Sequence, residues 1–440
     1  MTPGARVEAT IELLTAIDAD DQAPDQIIDG YFRSRRYAGS GDRRDVGGRV
    51  YDVLRRRAKL DWWIERTGLS LETNSRLRAI SFLILEERKS LDDVKAMFTG
   101  TRHCPELLSD PEAELAEALY DRPLLNRDMP DHVRLEYPEW MDRPFRALWG
   151  DKLEQEMSAL NQVAPLDLRV NTIKGTPEDA LARLQEDYIT CAPTSLSPLG
   201  IRVEGKVRLG GTRAFKEGLV EVQDEGSQLV SMLCGAKPGM TVVDYCAGAG
   251  GKALALAAAM ADEGRLSGRL FALDISRYRM DRMTPRLKRA GAVQVRRRAI
   301  AAVDEPWVEE HKGFADRVLI DVPCTGTGSW RRNPDARWCF TPERLAEIRE
   351  NQQRIMLSAA ELVKPHGRLI YVTCSLLQEE NEQQLAWFVE KKPEFQPIPI
   401  DEVWSETVGG PPPPSGPCLR LSPASAGTDG FFCAVLERQR

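Results

Sequence analysis

Two cysteines stand in settings that core packing does not require. Cys324 lies in DVPCTGTG (residues 321–328) and Cys374 in TCS (residues 373–375). Each follows an apolar, strand-like run, Arg317-Val318-Leu319-Ile320-Asp321 and Leu369-Ile370-Tyr371-Val372-Thr373. A cysteine at a strand end is more often a small buried hydrophobe than a nucleophile. Here two of them end separate strands and are flanked by Pro, Gly, Thr and Ser, which predicts that they converge at one sheet edge. A thiolate is a soft nucleophile that can add to an electron-poor ring carbon and later leave. Addition at C6 of a cytosine turns C5 into an enamine-like carbon able to take a methyl group. A second group must then help remove the C5 proton so that the thiolate is expelled, and a second cysteine, or a water beside it, suits that step.

A methyl donor needs a cradle of its own. The run Asp244-Tyr245-Cys246-Ala247-Gly248-Ala249-Gly250-Gly251-Lys252 follows the strand-like Thr241-Val242-Val243 and precedes a helix-like, alanine-rich run. Glycines there let the chain turn sharply and bring backbone N–H groups close to a ligand at the carboxyl end of a strand. The spacing is not G-x-x-x-x-G-K-[ST], so a phosphate-gripping ATPase loop is disfavoured. Asp274 ends the next strand, about 20 residues past the glycines, where a carboxylate accepts hydrogen bonds from ribose hydroxyls. A plain tight turn, and an aspartate that merely caps the helix starting near Ser276, do not account for strand, loop, helix and carboxylate in this order. The same features serve NAD and S-adenosylmethionine.

Three stretches must position these groups. Residues 1–140 carry helical spacing, with Ala9, Leu13 and Ile17 four apart and Val46, Val50, Val53 and Leu54 on one stripe, which predicts an all-α bundle. Residues 141–235 mix short strands (residues 166–171 and 201–203) with a helix over residues 177–187, a small α+β module. From residue 236 to 440 apolar strands alternate with helices, which predicts a Rossmann-like, mostly parallel sheet covered on both faces. Its third strand is expected over residues 293–300 and its last, residues 431–436, at the sheet edge. The prolines at 411–414 mark an exposed loop. Within the first stretch Arg33, Arg35, Arg36, Arg43, Arg44, Arg49, Arg55, Arg56, Arg57, Lys59 and Arg66 form a basic island. Its bland reading is a solvated, ion-paired helix face; its sharper one is contact with phosphates.

The whole chain has 440 residues, 42% hydrophobic and 29% charged, with a net charge of −7. That excludes a disordered protein and a polycation binding nucleic acid by bulk charge. No apolar run reaches the roughly 18 residues of a membrane span, and the start lacks a basic segment followed by an apolar core, so a cytoplasmic protein is expected. Nine scattered cysteines without a C-x-x-C pair and four histidines without ligand spacing predict free thiols and no metal site.

The motifs together resemble the RNA (cytosine-5) methyltransferase family, in its Fmu/Sun group. CAGAGGK (246–252), Leu273-Asp274-Ile275, DVPCTGTG with Arg331-Arg332-Asn333-Pro334-Asp335, and TCS followed by Glu379-Glu380-Asn381 occur in family order. The resemblance implies that S-adenosylmethionine is held by Cys246, Ala247, Gly248, Ala249, Gly250, Gly251, Lys252, Asp274 and Asp321. It implies that Cys374 is the nucleophile, that Cys324 aids product release, that Asp321 meets the cytosine edge and that Lys252 lies near the base. Arg169 and Asn171, in LRVNT, look like part of the accessory RNA-binding module, and residues 222–228 like the lead into the cofactor fold. Residues 42–44 and 50–56 resemble a NusB-like RNA-binding domain, so Arg43, Arg44, Arg55 and Arg56 join Arg331 and Arg332 as expected RNA contacts. The sequence departs from the family twice. Ala249 stands where a proline is usual, which should loosen the turn, and the third strand lacks its aspartate, for which Asp304 is the substitute.

The resulting expectation is a monomeric, metal-free enzyme that makes 5-methylcytidine in RNA, most readily ribosomal, at an unpaired or flipped base. A non-catalytic RNA-binding assembly factor and a nicotinamide-dependent oxidoreductase are the rivals. The second cannot explain two cysteine motifs.

Overall fold

The computed structural model describes residues 1–20, 22–70, 75–300, 306–413 and 416–440. Contacts divide the chain into two units, residues 1–161 with 332–339, and residues 162–331 with 340–440.

The first unit is helical. Ala9, Leu13 and Ile17 are buried on the helix Pro3–Ala19, and Val46, Val50, Val53 and Leu54 on the helix Ser40–Leu54, as a four-residue spacing requires for one face. Both stripes join Leu60, Ile64, Ile80 and Leu83 in one core. Glu136 is buried there and accepts from the Ala58 and Lys59 amides and from Lys59 Nζ. Arg337, in the segment that returns to this unit, donates to the carbonyls of Glu136 and Leu160.

The second unit contains two larger sheets. β1 (Leu166–Val170), β2 (Cys191–Pro193), β3 (Gly200–Val203) and β4 (Val220–Val222) form an antiparallel sheet in the order β2-β3-β1-β4. A two-residue hairpin, β6 (Ala261–Asp262) and β7 (Arg265–Leu266), stands apart. β5 (Thr241–Asp244), β8 (Arg269–Asp274), β9 (Arg296–Ala299), β10 (Ala315–Asp321) and β11 (Val363–Thr373) run parallel in the order β9-β8-β5-β10-β11. β14 (Phe431–Arg438) then pairs antiparallel with β11, and β12 (Phe395–Ile398) and β13 (Leu419–Leu421) pair with β14.

Helices cover both faces, which is why β5 and the middle of β10 are unbroken buried runs and not alternating ones. The last strand is not the edge. Residues 431–436 are all buried, and that apolar run is satisfied by neighbours on both sides, leaving the outer position to β12. At the other edge all four residues of β9 are exposed, and the third strand is shorter than the expected 293–300. Pro411 and Pro412 are exposed and outside regular structure; Pro414 lies outside the described residues. Among the described residues no helix is long and apolar enough to cross a membrane.

Strand order reverses direction about β5, so the carboxyl ends of β5, β8, β10 and β11 open onto one crevice, the place where such sheets bind ligands. The small sheet is tied to the same unit. Asn171 Nδ2 donates to the carbonyls of Gly218 and Ala290, and Glu221 on β4 accepts from Arg286 and Arg289.

Candidate active site

The loop after β5 turns through two left-handed glycines, Gly248 (φ +54°) and Gly250 (φ +86°), before the helix Gly251–Ala259. At Gly250 a side chain has no room, because a Cβ would come 2.4 Å from Met283 Cγ. Gly248 N donates to Asp274 Oδ2 at 2.8 Å, and Ser276 N to Asp274 Oδ1 at 2.7 Å. The carboxylate thus ties the loop to β8 and steadies the next helix start, with a second lone pair on each oxygen for a ligand. The carbonyl of Ala249 accepts from Arg286 Nη1 at 2.6 Å, so an outside arginine restrains the turn where the usual proline is missing.

A cavity of about 510 Å³ opens beside this loop, within the range of small-molecule sites. Cys246, Ala247, Gly248, Ala249, Gly251, Lys252, Asp274 and Asp321 line it, together with Asp224, Ser227 and Ile300. Gly250 does not; it works behind the loop against Met283. Asp244 also lines it, fully buried, with neither oxygen hydrogen-bonded to a side chain of the described residues. Burial pushes its carboxyl up to about 7; Lys252 pulls it down, while Asp321 and Asp274 push it further up. Lys252 Nζ lies 2.6 Å from Asp321 Oδ2. Burial works against the ammonium, but Asp321 outweighs it and holds the lysine above its ordinary value. A ligand with one positive group and a ribose matches a buried carboxylate without a side-chain partner and an aspartate with lone pairs to spare, so the donor set fits S-adenosylmethionine.

The two cysteines do meet. Cys324 Sγ and Cys374 Sγ are 3.4 Å apart, just beyond the ends of the adjacent parallel strands β10 and β11. Glu380 explains how. Its buried carboxylate accepts from Thr325 N at 2.9 Å, from Thr325 Oγ1 and from Gln352 Nε2 on the cysteine-324 side, and from Ser375 Oγ on the cysteine-374 side. Thr327 Oγ1 accepts from Leu376 N, and Gly328 N donates to the carbonyl of Cys374, which closes the second tie between the loops. The hydrogen bond with Cys374, then burial, pushes the Cys324 thiol well above its ordinary value. Burial does the same to Cys246, an inert small wall of the cavity.

The family model described as 16S rRNA methyltransferase RsmB/F matches residues 231–437, and that of the RsmF/B-like ferredoxin-like domain matches residues 137–209. Ribosomal RNA small subunit methyltransferase B of Salmonella arizonae is 30% identical over 318 residues, 72% of this chain and 70% of the relative. The chain belongs to the RsmB/F methyltransferase family. The probable ribosomal RNA small subunit methyltransferase B of Synechocystis is 29% identical over 97% of this chain and 98% of its own. The crystal structure of PH0851 superposes with a TM-score of 0.81 at 26% identity, covering 100% of this chain and 99% of that one.

In this RsmB/F member the expected RNA contacts divide. Arg43 and Arg44 are exposed. Arg56 is half-buried between Asp52 and Glu86, and Arg55 is buried. Arg169 and Asn171 are buried: Arg169 Nε donates to Gln223, and Asn171 Nδ2 donates to the carbonyls of Gly218 and Ala290. Arg331 is likewise buried, paired with Asp429 at 2.9 Å, and Arg332 is half-buried in the segment that returns to the helical unit. Asp304 lies outside the described residues. Among the described residues no cluster of His, Cys, Asp or Glu could hold a metal ion. Glu380 and Asp244 were visible only as letters inside motifs. Gln352, one turn among many on the long helix Pro342–Leu362, carried no sequence signal.

Proposed function

We propose that this protein is a cytoplasmic, monomeric, S-adenosylmethionine-dependent methyltransferase that makes 5-methylcytidine in small-subunit ribosomal RNA. The observation that carries the reading is the pair of sulfurs 3.4 Å apart beside a ribose-binding cradle, in a chain of the RsmB/F family. S-adenosylmethionine, when bound, supplies an electrophilic methyl group; Asp274 takes its ribose, the loop 246–251 its methionine end, and Asp244 its positive charge.

Cys374 adds through its thiolate to C6 of the cytosine, forming a C–S bond and pushing electron density to C5, the carbon that receives the methyl group. Asp321, held by Lys252, accepts from the exocyclic edge of the base and keeps the ring oriented. The C5 proton then leaves to a water beside Cys324, and the C6–S electrons return to Cys374. Cys324 protonates that sulfur as it departs and recovers its own proton from the water. Because the reacting atoms lie in a crevice, the base must be unpaired or flipped out. The helical unit and the small sheet serve to hold the flanking RNA.

The test is methyl transfer from labelled S-adenosylmethionine to ribosomal RNA from cells lacking the protein, with the product nucleoside identified by mass. Native protein should yield 5-methylcytidine, Cys374→Ala neither product nor adduct, and Cys324→Ala a denaturation-stable RNA adduct. Binding of cofactor and RNA without transfer under any condition would favour the assembly-factor reading instead.

A further inference from the structure

One strongly charged face borders the site above. Residues 277–298, which span the helix Arg277–Ala290 and the edge strand β9, contain nine basic residues and a single acidic one, Asp281, in a chain whose net charge is −7. In the basic island of the helical unit Arg49 pairs with Glu87, Arg56 with Glu86, Arg57 with Asp18 and Arg35 with Glu12, while Arg33, Arg36, Arg43 and Arg44 stay exposed. On the second face Arg286 and Arg289 pair with Glu221. On the helix Arg277–Ala290, Arg277, Arg279, Arg282 and Lys288 are exposed and form no ion pair among the described residues, while Arg296 adds an exposed cation from β9.

The arrangement carries a folding cost that local structure does not offset. Arg277 and Arg279 sit in the first helical turn, where the helix dipole disfavours cations, and no acidic residue occupies that turn. Like charges repel across the short spacings of the helix. Arginines on an edge strand discourage strand pairing, which accounts for β9 but not for the helix. Three large apolar side chains lie exposed in the same stretch or at its margin, Ile275, Tyr278 and Val293, each about two-thirds accessible. The face borders the cofactor cavity, because Arg279 and Ile275 also line it. Forked cations with an exposed aromatic among them match a sugar–phosphate backbone with a stackable base better than an acidic protein, whose carboxylates offer no ring partner.

We infer that the face formed by the helix Arg277–Ala290 and β9 is a docking surface for the phosphate backbone of RNA flanking the reacting base. The inference rests on the RNA methyltransferase reading and adds to it a second contact surface, on the unit that does the chemistry. The helix rises about 1.5 Å per residue, so Arg277 to Lys288 spans roughly 16 Å, enough to follow two to three phosphates of one strand.

The test uses the full chain with ribosomal RNA and compares Arg277→Gln/Arg282→Gln/Lys288→Gln with a control lacking three exposed cations outside this face, the helical unit and the small sheet, Arg265→Gln/Arg344→Gln/Lys391→Gln. Equilibrium binding is read across a salt series without cofactor, independently of methyl transfer, so that loss of chemistry and loss of docking are told apart. The face variant should flatten the slope of log K against log salt by about 2 and weaken binding roughly ten- to fifty-fold at moderate salt, with the control close to native. The charge-keeping Arg277→Lys/Arg282→Lys should retain the slope, which separates lost charge from misfolding. With RNA saturating, kcat and cofactor affinity should stay native, the change falling in KM for RNA. Equal slopes for the face and control variants, or a native protein that binds no RNA, would overturn the inference; equal slopes would leave the face to solvent or to an acidic protein.

Discussion

The cofactor cavity and the cysteine ledge adjoin at Asp321, yet they treat their buried polar groups in opposite ways. On the ledge every oxygen of Glu380 is spent on the two loops that carry the sulfurs. In the cavity Asp244 is equally buried but accepts from no side chain among the described residues, only from the Ala253 amide. A buried carboxylate with few partners is costly, and one surrounded by donors locks its neighbours. The difference teaches how each region is built: the ledge fixes two sulfurs relative to each other, and the cavity keeps acceptor capacity open to a ligand.

The comparison breaks most sharply at Cys374. Cys374→Ala should lower methyl transfer by about ten-thousand-fold or more while cofactor affinity, measured by calorimetry, stays native. A comparable loss of cofactor binding would mean that ledge and cavity are one device.

Next comes the pH dependence of stability, which singles out Asp244. Its carboxyl is raised from 3.8 to about 7 in the folded chain, so between those values the folded state holds a proton that the unfolded state has released. The stabilisation is full below pH 4 and is lost as pH rises to 7, by up to about 4 kcal/mol at about 1.4 kcal/mol per unit. Asp244→Asn should therefore melt with a flatter pH profile than the native protein between pH 4 and 7. Identical profiles would show that burial does not hold a proton on this carboxyl.

Removing the knot of the ledge should cost somewhat less. Glu380→Ala leaves Thr325 N buried without an acceptor, worth about 1–3 kcal/mol, removes the shared acceptor of the Thr325 and Ser375 hydroxyls, and lets the loops part. The expectation is a lower melting temperature and kcat reduced about a hundred-fold, with KM for the cofactor within about twofold of native. Glu380→Gln, which keeps one acceptor, should recover part of both.

Asp274→Asn should give the smallest effect, cofactor binding weakened about ten- to thirty-fold, the worth of hydrogen bonds to a charged acceptor. The RNA adduct formed by Cys324→Ala, assayed with saturating cofactor, should survive this change.

Much of the site was legible before the fold was known. The order of strand ends in 244, 274, 321 and 373 placed the cradle and both cysteines on one sheet edge, because parallel strands joined by helices all end on the same side. Helical spacing located the cores of Pro3–Ala19 and Ser40–Leu54 for the same local reason. What the sequence does not carry is tertiary. Arg169, Asn171 and Arg331 carry polar side chains that sequence reading assigns to the surface, and the structure buries them with Gln223, Ala290 and Asp429 as partners 54, 119 and 98 residues away. The last strand was placed at an edge because nothing in residues 431–436 records that β12 and β13 would lie outside it.

The sequence by itself determined the alternation of strands and helices, the glycine turn and the two cysteines beyond strand ends, since each follows from residue type and short-range spacing. Only the tertiary structure decided which charges are spent and which are open. Arg56 and Arg282 are the same residue on similar helices, but one meets Glu86 and Asp52 and the other meets no ion-pair partner among the described residues. Electrostatic pairing depends on distances across the fold, and those are not written in the local chain.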